Sequence, residues 1–399
     1  VGVVDELVLQ NFAPEILLGL LASLSAAVAL LFLRQALWTF RRFALPKPSL
    51  SLKQLPSVSV CVPARNEDHE LAECIAAVLR SDYPKLEALV LDDCSQDKTA
   101  DIIKSFAHDG VRFVQGDEPA TGWLGKNQAM NTLAEHASGQ WLLFLSADSQ
   151  LGPGSISQLV HYALAANKQM LSVLPQNLGG PSAATLLGTL QYYWQIVFPI
   201  TKRRVPVSGK AWFIQAKTLK KLGGFDSVKH KIIPEGSFAR RLFAEDAYRF
   251  FVSDARLALT TSKNRNAQIR TSIRLLYPTF KRQPMFVLFG LFGLSLLLLP
   301  FCVVVLAALW GNWWLLAAGA IALTLLFAGY VLVVRRTQPV AWLASSVCLP
   351  LVLAQEMVLC VISMLRYEFS EVSWKGRNVC YPVISGGRRS TPLAEESTH

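Results

Sequence analysis

The sequence predicts an α/β domain on a mostly parallel sheet, set between α-helical transmembrane segments. Three observations predict it. Strand-like and helix-like stretches alternate through the middle of the chain, as strands joined by crossover helices do. Long uncharged apolar runs lie at both ends. Polar clusters fall where the strand-like stretches stop, the edge at which such sheets bind ligands.

The apolar bias is global. Of 399 residues, 52% are hydrophobic and only 17% charged, outside the range of an ordinary soluble domain. The net charge of +11 raises the question of nucleic acid. Much of it, however, flanks the apolar runs, at Arg34, Arg41, Arg42, Lys281, Arg282, Arg335 and Arg336. A membrane, and no nucleic acid, is therefore the expected partner. The seven cysteines are odd in number and contain no CxxC pair, which leaves neither a disulfide framework nor a zinc site.

Residues 16–33 carry no charge and are just long enough for a tilted span. Acidic Asp5, Glu6 and Glu15 precede the run and basic residues follow it, the reverse of a signal peptide. The positive-inside rule then puts the N-terminus outside and the chain from residue 34 in the cytosol. Residues 285–309, 313–334 and 340–365 are further candidate spans. In the last of these, Pro350, Gln355 and Glu356 interrupt the run, and the tail beyond it is basic. A re-entrant or interfacial segment with a cytosolic tail reconciles the count. The chain divides into a transmembrane helix in 1–33, a basic linker 34–56, a polar domain 57–283, transmembrane or re-entrant helices 284–365, and a polar tail 366–399. A multi-pass protein of the inner or plasma membrane, with its polar domain cytosolic, is expected.

Within the polar domain, strands are predicted at 57–63, 86–91, 111–114 and 141–145, and helices at 70–80, 99–107 and 125–137. Three clusters sit at strand ends: Ala64-Arg65-Asn66-Glu67, Asp92-Asp93, and Ser146-Ala147-Asp148. Asp92 and Asp93 are adjacent, so one can face a ligand while the other caps the loop; turn chemistry alone also accounts for both. Asp148 is the metal candidate, because a diphosphate needs Mg²⁺ or Mn²⁺ held by few carboxylates. Lys126, after Gly122-Trp123-Leu124-Gly125, can approach a phosphate as a point charge, or simply start a helix. Glu245-Asp246 and Glu235 are rival general bases for an acceptor hydroxyl, and either can be only a helix-start acid.

In chain order these clusters resemble the family 2 glycosyltransferases, which have the GT-A fold, over most of residues 57–250. The resemblance rests on PARNE at 63–67, LDDCSQDKT at 91–99, GWLGKNQAMN at 122–131, FLSADS at 144–149 and KLGGFD at 221–226. GWLGK, WKGR at 374–377 and the hydrophobic ends are most similar to carotenoid- and hopanoid-associated members, which modify a lipid. The resemblance implies an inverting, nucleotide-sugar-dependent hexosyltransferase with a divalent metal, a UDP-linked donor and a lipid acceptor. It implies that Pro63, Ala64, Arg65, Glu67, Asp92, Asp93, Lys126, Asn131 and Ala147 line the donor site. Asp93 would hold the base and Asp148 the metal. Gly223, Gly224, Trp374 and Arg377 would serve the acceptor or a gate.

The chain departs from that pattern twice. Ser146 replaces the first Asp of the DxD motif. Measured from GGFD, Glu235 takes the Glu of the catalytic ED pair and Gly236 the Asp; measured from a following helix, Glu245-Asp246 fits, with the next strand at 252–259. The second register is the favoured expectation. The QxxRW motif of processive synthases is absent, since Gln268 and Arg270 do not reproduce it. A polysaccharide synthase or a degenerate, non-catalytic scaffold subunit are the alternatives.

Overall fold

The computed structural model describes residues 2–42, 55–370, 372–375 and 377–378. Most of the 34–56 linker and of the tail, with Cys380, Arg388 and Arg389, lies outside the described residues, as does the Trp374 side chain. The chain forms two compact units. One comprises Val1–Ala44, Gln176–Ile200 and Ser262–Ile362; the other comprises Leu45–Pro175, Thr201–Thr261 and Ser363–His399.

The second unit is the α/β domain. Its strands are β1 Val58–Ala64, β2 Leu86–Asp92, β3 Val111–Gln115, β4 Trp141–Leu145, β5 Ser149–Gln150, β6 Met170–Leu174, β7 Ala211–Gln215, β8 Tyr248–Val252, β9 Thr260–Thr261, β10 Ser373–Trp374 and β11 Arg377–Asn378. Seven of them form one sheet in the order β3-β2-β1-β4-β7-β6-β8. Strand β7 runs antiparallel to β4 and β6; the other pairings are parallel. The nearly unbroken apolar runs of β1, β2 and β4 are those of strands covered on both faces, and almost every residue in them is buried. Across the antiparallel β4/β7 pair, Phe144 stacks on Trp212 at 4.3 Å and Trp141 on Phe213 at 4.6 Å. Phe225 closes edge-on over Phe144 and Trp212, and Phe238 packs edge-on against Phe225. Such aromatic pairs add about 0.5–1.5 kcal/mol each beyond the area they bury, so the centre of the sheet is rigid where β4 delivers its polar end.

The sequence places β1–β4 and helices Leu71–Leu79, Thr99–Ser105 and Gly125–His136 within a residue or two. It misplaces the strand expected at 252–259. The strand is β8, which ends where that one was to begin. The cause is turn chemistry: the Asp254 carboxylate accepts from the N–H groups of Arg256 (3.0 Å) and Leu257 (3.1 Å), which folds the chain back.

Among the described residues four helices are long and apolar enough to cross a membrane: Pro14–Arg42, Pro284–Trp310 and Trp313–Thr337 in the first unit, and Leu349–Phe369, which begins in the first unit and ends in the second. The final apolar run is broken at Cys348 into Trp342–Val347 and Leu349–Phe369, so Pro350 starts a helix instead of interrupting one. Gln355 and Glu356 are spent on the segment 176–200. Gln355 donates to the Leu187 carbonyl at 2.9 Å, and Glu356 accepts from the Trp194 indole N–H at 3.0 Å.

Candidate active site

The polar ends of β1, β2 and β4 lie together at the carboxyl edge of the sheet, because the three strands are parallel neighbours. Tight loops hold each cluster. Asn66 and Cys94 both adopt left-handed backbone, at φ 50° and 53°. The Asn66 side chain accepts from Gln96 N–H, and Thr99 Oγ1 accepts from Glu67 N–H. The two adjacent aspartates divide their work. Asp92 turns back and accepts from Ser95 N–H at 3.3 Å, as a loop cap. Asp93 points outward, and both of its oxygens accept from Arg377 Nη1 at 2.7 Å.

A hairpin of the tail, β10–β11, is thereby fastened to the carboxyl edge of the sheet. Arg377 also donates to Glu118 at 2.8 Å. Arg65 donates to the Lys375 carbonyl at 3.0 Å and to the Asp93 and Cys94 carbonyls at 2.6 and 3.0 Å. Lys375 Nζ donates to the Asn66 carbonyl and pairs with Glu67 at 3.1 Å. Gly125 makes room: a Cβ there would stand 2.5 Å from Arg377 Nη1 and 3.3 Å from Asp93 Oδ2. Burial pushes the Asp93 carboxyl up, and Arg377 returns it only in part. Burial opposes the Arg377 charge, but its bonds to Asp93 and then Glu118 hold it firmly cationic. Burial likewise raises Glu67, with Lys375 pulling it down and Asp148 pushing it up, so Glu67 feels both clusters.

Beyond β4 the arrangement changes. Ser146 N–H donates to the Lys210 carbonyl at 2.8 Å, which extends the β4/β7 ladder by one residue. The Lys210 ammonium bonds Asp148 Oδ2. The side chains of Lys210 and Asp148 are 11% and 13% exposed, so the pair is nearly withdrawn from water. Ala147, between the two strand-end residues, is buried. Glu235 sits at the start of helix Pro234–Ala244, with Pro234 in the first turn. It is buried, and its Oε1 stands against the backbone of Gly209, where an added Cβ would collide with it and lie 3.8 Å from Lys126 Nζ. Glu235, Lys126 and Lys210 thus gather around the entry to β7.

Two sets of expected site residues lie away from these clusters. Glu245 and Asp246 follow helix Pro234–Ala244 and precede β8. β8 is parallel to β6, and both run in the direction of β4, so their starts lie at the edge opposite Asp93 and Asp148. Asp246 is 74% exposed there and pairs with Lys168 at 2.9 Å. Glu235 is the acid brought to the site. Asn131 belongs to the second set: its amide donates to Glu135 on the outer side of helix Gly125–His136. Asn127, four residues earlier, is the buried amide, donating to the carbonyls of Val228, Lys229 and Lys231 at 3.1, 2.9 and 2.8 Å. Its signal in the sequence is helical spacing, since Asn127 shares a face with buried Met130. Gly223 and Gly224 take φ 88° and 57° and serve the turn after helix Ala216–Lys221. Pro63 and Ala64 end β1 beside Leu91 and Asp92.

The metal expectation meets a different donor set. Ser146 stands where a second carboxylate is needed, Asp148 is engaged by an ammonium, and no group of three His, Cys, Asp or Glu side chains among the described residues can hold a metal. Of the expected metal-holding positions, Asp148 alone is a carboxylate, and one of its oxygens is bonded to Lys210.

A mixed, mostly parallel sheet of this order, with its acidic clusters at one edge, is a GT-A fold. Residues 59–199 match the family described as Glycosyl transferase family 2. It is 29% identical over 200 residues to the probable glycosyltransferase YdaM of Bacillus subtilis (strain 168), covering 47% of each chain. It is 28% identical over 158 residues to the 4,4'-diaponeurosporenoate glycosyltransferase of Staphylococcus aureus (strain bovine RF122 / ET3-1), covering 39% of this chain and 41% of that one. The chain thus spans about half the length of the curated relatives it matches. Its fold is similar to the mannosyltransferase PcManGT from Pyrobaculum calidifontis, solved with GDP-Man and Mn²⁺. The TM-score is 0.51 at 18% identity, over 87% of this chain and 98% of that one.

Proposed function

We propose that the chain transfers a single sugar, with inversion, from a nucleotide sugar, UDP-linked by its motifs, to a hydroxyl or carboxyl of a lipid. The observation that carries this is the gathering of Asp93, Asp148, Lys126 and Glu235 at one edge of a GT-A sheet in a chain with four span-length apolar helices. The name of the staphylococcal relative supports a lipid acceptor. In the reaction, the acceptor oxygen loses its proton to the Glu235 carboxylate and bonds to the anomeric carbon. The bond from that carbon to the diphosphate breaks, and the departing charge faces the lysines at the entry to β7.

The basic residues after the first span support a cytosolic site in the cell membrane. The bonds of Lys375 and Arg377 within the α/β unit support a tail on the same side, with helix Leu349–Phe369 returning to it. Ser146 and Gly236 favour one second reading, a degenerate binding subunit.

The test is nucleoside diphosphate release by the purified full chain from a panel of nucleotide sugars with lipid extract. Transfer of one sugar to a lipid is expected. No release from any donor establishes the binding-subunit reading, and a ladder of product lengths establishes a polysaccharide synthase. Glu235→Gln is expected to lose at least about a hundredfold in kcat, while Asp246→Asn stays near wild type; the reverse pattern would restore Asp246 as base.

A further inference from the structure

We propose that Lys210 stands in place of a divalent cation at the donor diphosphate, so that this chain binds its donor without a metal. The inference rests on the nucleotide-sugar reading above and goes beyond it. Its first support is position. Lys210 is the residue before β7 and its carbonyl is locked to Ser146, so its ammonium emerges from the strand next to the end of β4. Its second support is the partner: that ammonium bonds Asp148, the residue from which a metal would be held.

Charge decides between the two occupants. A magnesium-type ion at a nucleotide site needs one or two free carboxylates in addition to the phosphate oxygens. Here one carboxylate remains, since the other position is Ser146, and a nearly buried ammonium already bonds one of its two oxygens. A dication would have to displace that ammonium or share Asp148 with it at a few ångströms, in a setting where water screens little. The diphosphate does not need the ion. Lys210 supplies one positive charge, and Lys126, 3.8 Å from where a Cβ on neighbouring Gly209 would lie, supplies a second. Two lysines equal the charge of one divalent ion, and they are built into the fold. In the transfer step the anomeric C–O bond to the diphosphate breaks and its electron pair goes to the leaving oxygen. That negative charge meets the Lys210 ammonium as the pairing with Asp148 is exchanged for phosphate.

The experiment is calorimetric binding of UDP and of GDP to the full chain in detergent, with EDTA and with Mn²⁺, beside Mn²⁺ paramagnetic resonance. The expected result is an affinity that differs less than about twofold between the two conditions, with no Mn²⁺ recruited by the bound nucleotide. Lys210→Gln is expected to weaken binding in EDTA by at least about tenfold, and Lys210→Arg, which keeps the charge, to weaken it less. Binding that disappears in EDTA and returns with one Mn²⁺ per nucleotide overturns the proposal, and this arm needs no variant to fold. If neither nucleotide binds under either condition, the donor reading itself falls and takes this inference with it.

Discussion

Arg377, in the tail, places its guanidinium on Asp93, at the end of the second strand of the sheet, with Nη1 2.7 Å from both carboxylate oxygens. The two residues are 284 positions apart. Their side chains are 14% and 4% exposed, so the pair is largely withdrawn from solvent and removing one partner leaves a buried charge.

That relationship predicts how the tail is held. Arg377→Ala and Gly125→Ala should both release residues 372–378, the second because its Cβ would stand 2.5 Å from Nη1. Hydrogen exchange at those amides should rise at least about tenfold in each variant. Exchange unchanged from wild type would mean that the hairpin is held by Lys375 and Arg65 alone.

Gly209 is a probe of the proposed base. An added methyl would collide with Glu235 Oε1 and shift the carboxylate without touching Asp93. Gly209→Ala is expected to lower kcat by roughly a hundredfold, the scale of a 1 Å misplacement of a reacting group. The nucleoside diphosphate affinity should stay within about threefold of wild type. Loss of affinity with kcat preserved would place Glu235 in donor binding.

Asn127 joins helix Gly125–His136 to three carbonyls in 228–231. Asn127→Ala strips buried carbonyls of their donor, at a cost of about 1–3 kcal/mol. A lowered thermal midpoint in detergent would show it; an unchanged midpoint would mean that water replaces the amide.

Asp97 gives the acid limb of stability a cause. Slight burial pushes its carboxyl up, but bonds from Thr99 and Asp68 outweigh this and hold it below the usual carboxylate range. A depressed folded value means that the contribution is complete above the unfolded value of about 3.9 and is lost as pH falls through the folded one. In Asp97→Asn the midpoint should therefore fall less steeply below pH ~4 than in wild type. Identical slopes would exclude Asp97 as a source.

The first four strands, the order of their polar clusters and the long apolar runs were legible in the sequence. Each of these is written locally: apolar stretches set the strands β1–β4, aspartates follow strand ends, and runs of uncharged apolar residues are long enough to cross a membrane. The sequence also held the register in which Glu235 is the proposed base. It could not choose that register over Asp246, because both acids sit beside a helix-like stretch and only the direction of β8 separates the two edges of the sheet. The tertiary structure alone decided the rest. Arg377 reaches Asp93, and Lys210 reaches Asp148 across 62 positions, through strand pairing and chain reversal that no local pattern records. Spacing along a chain fixes which face a side chain takes; which distant charge it meets there is fixed only when the strands are in register.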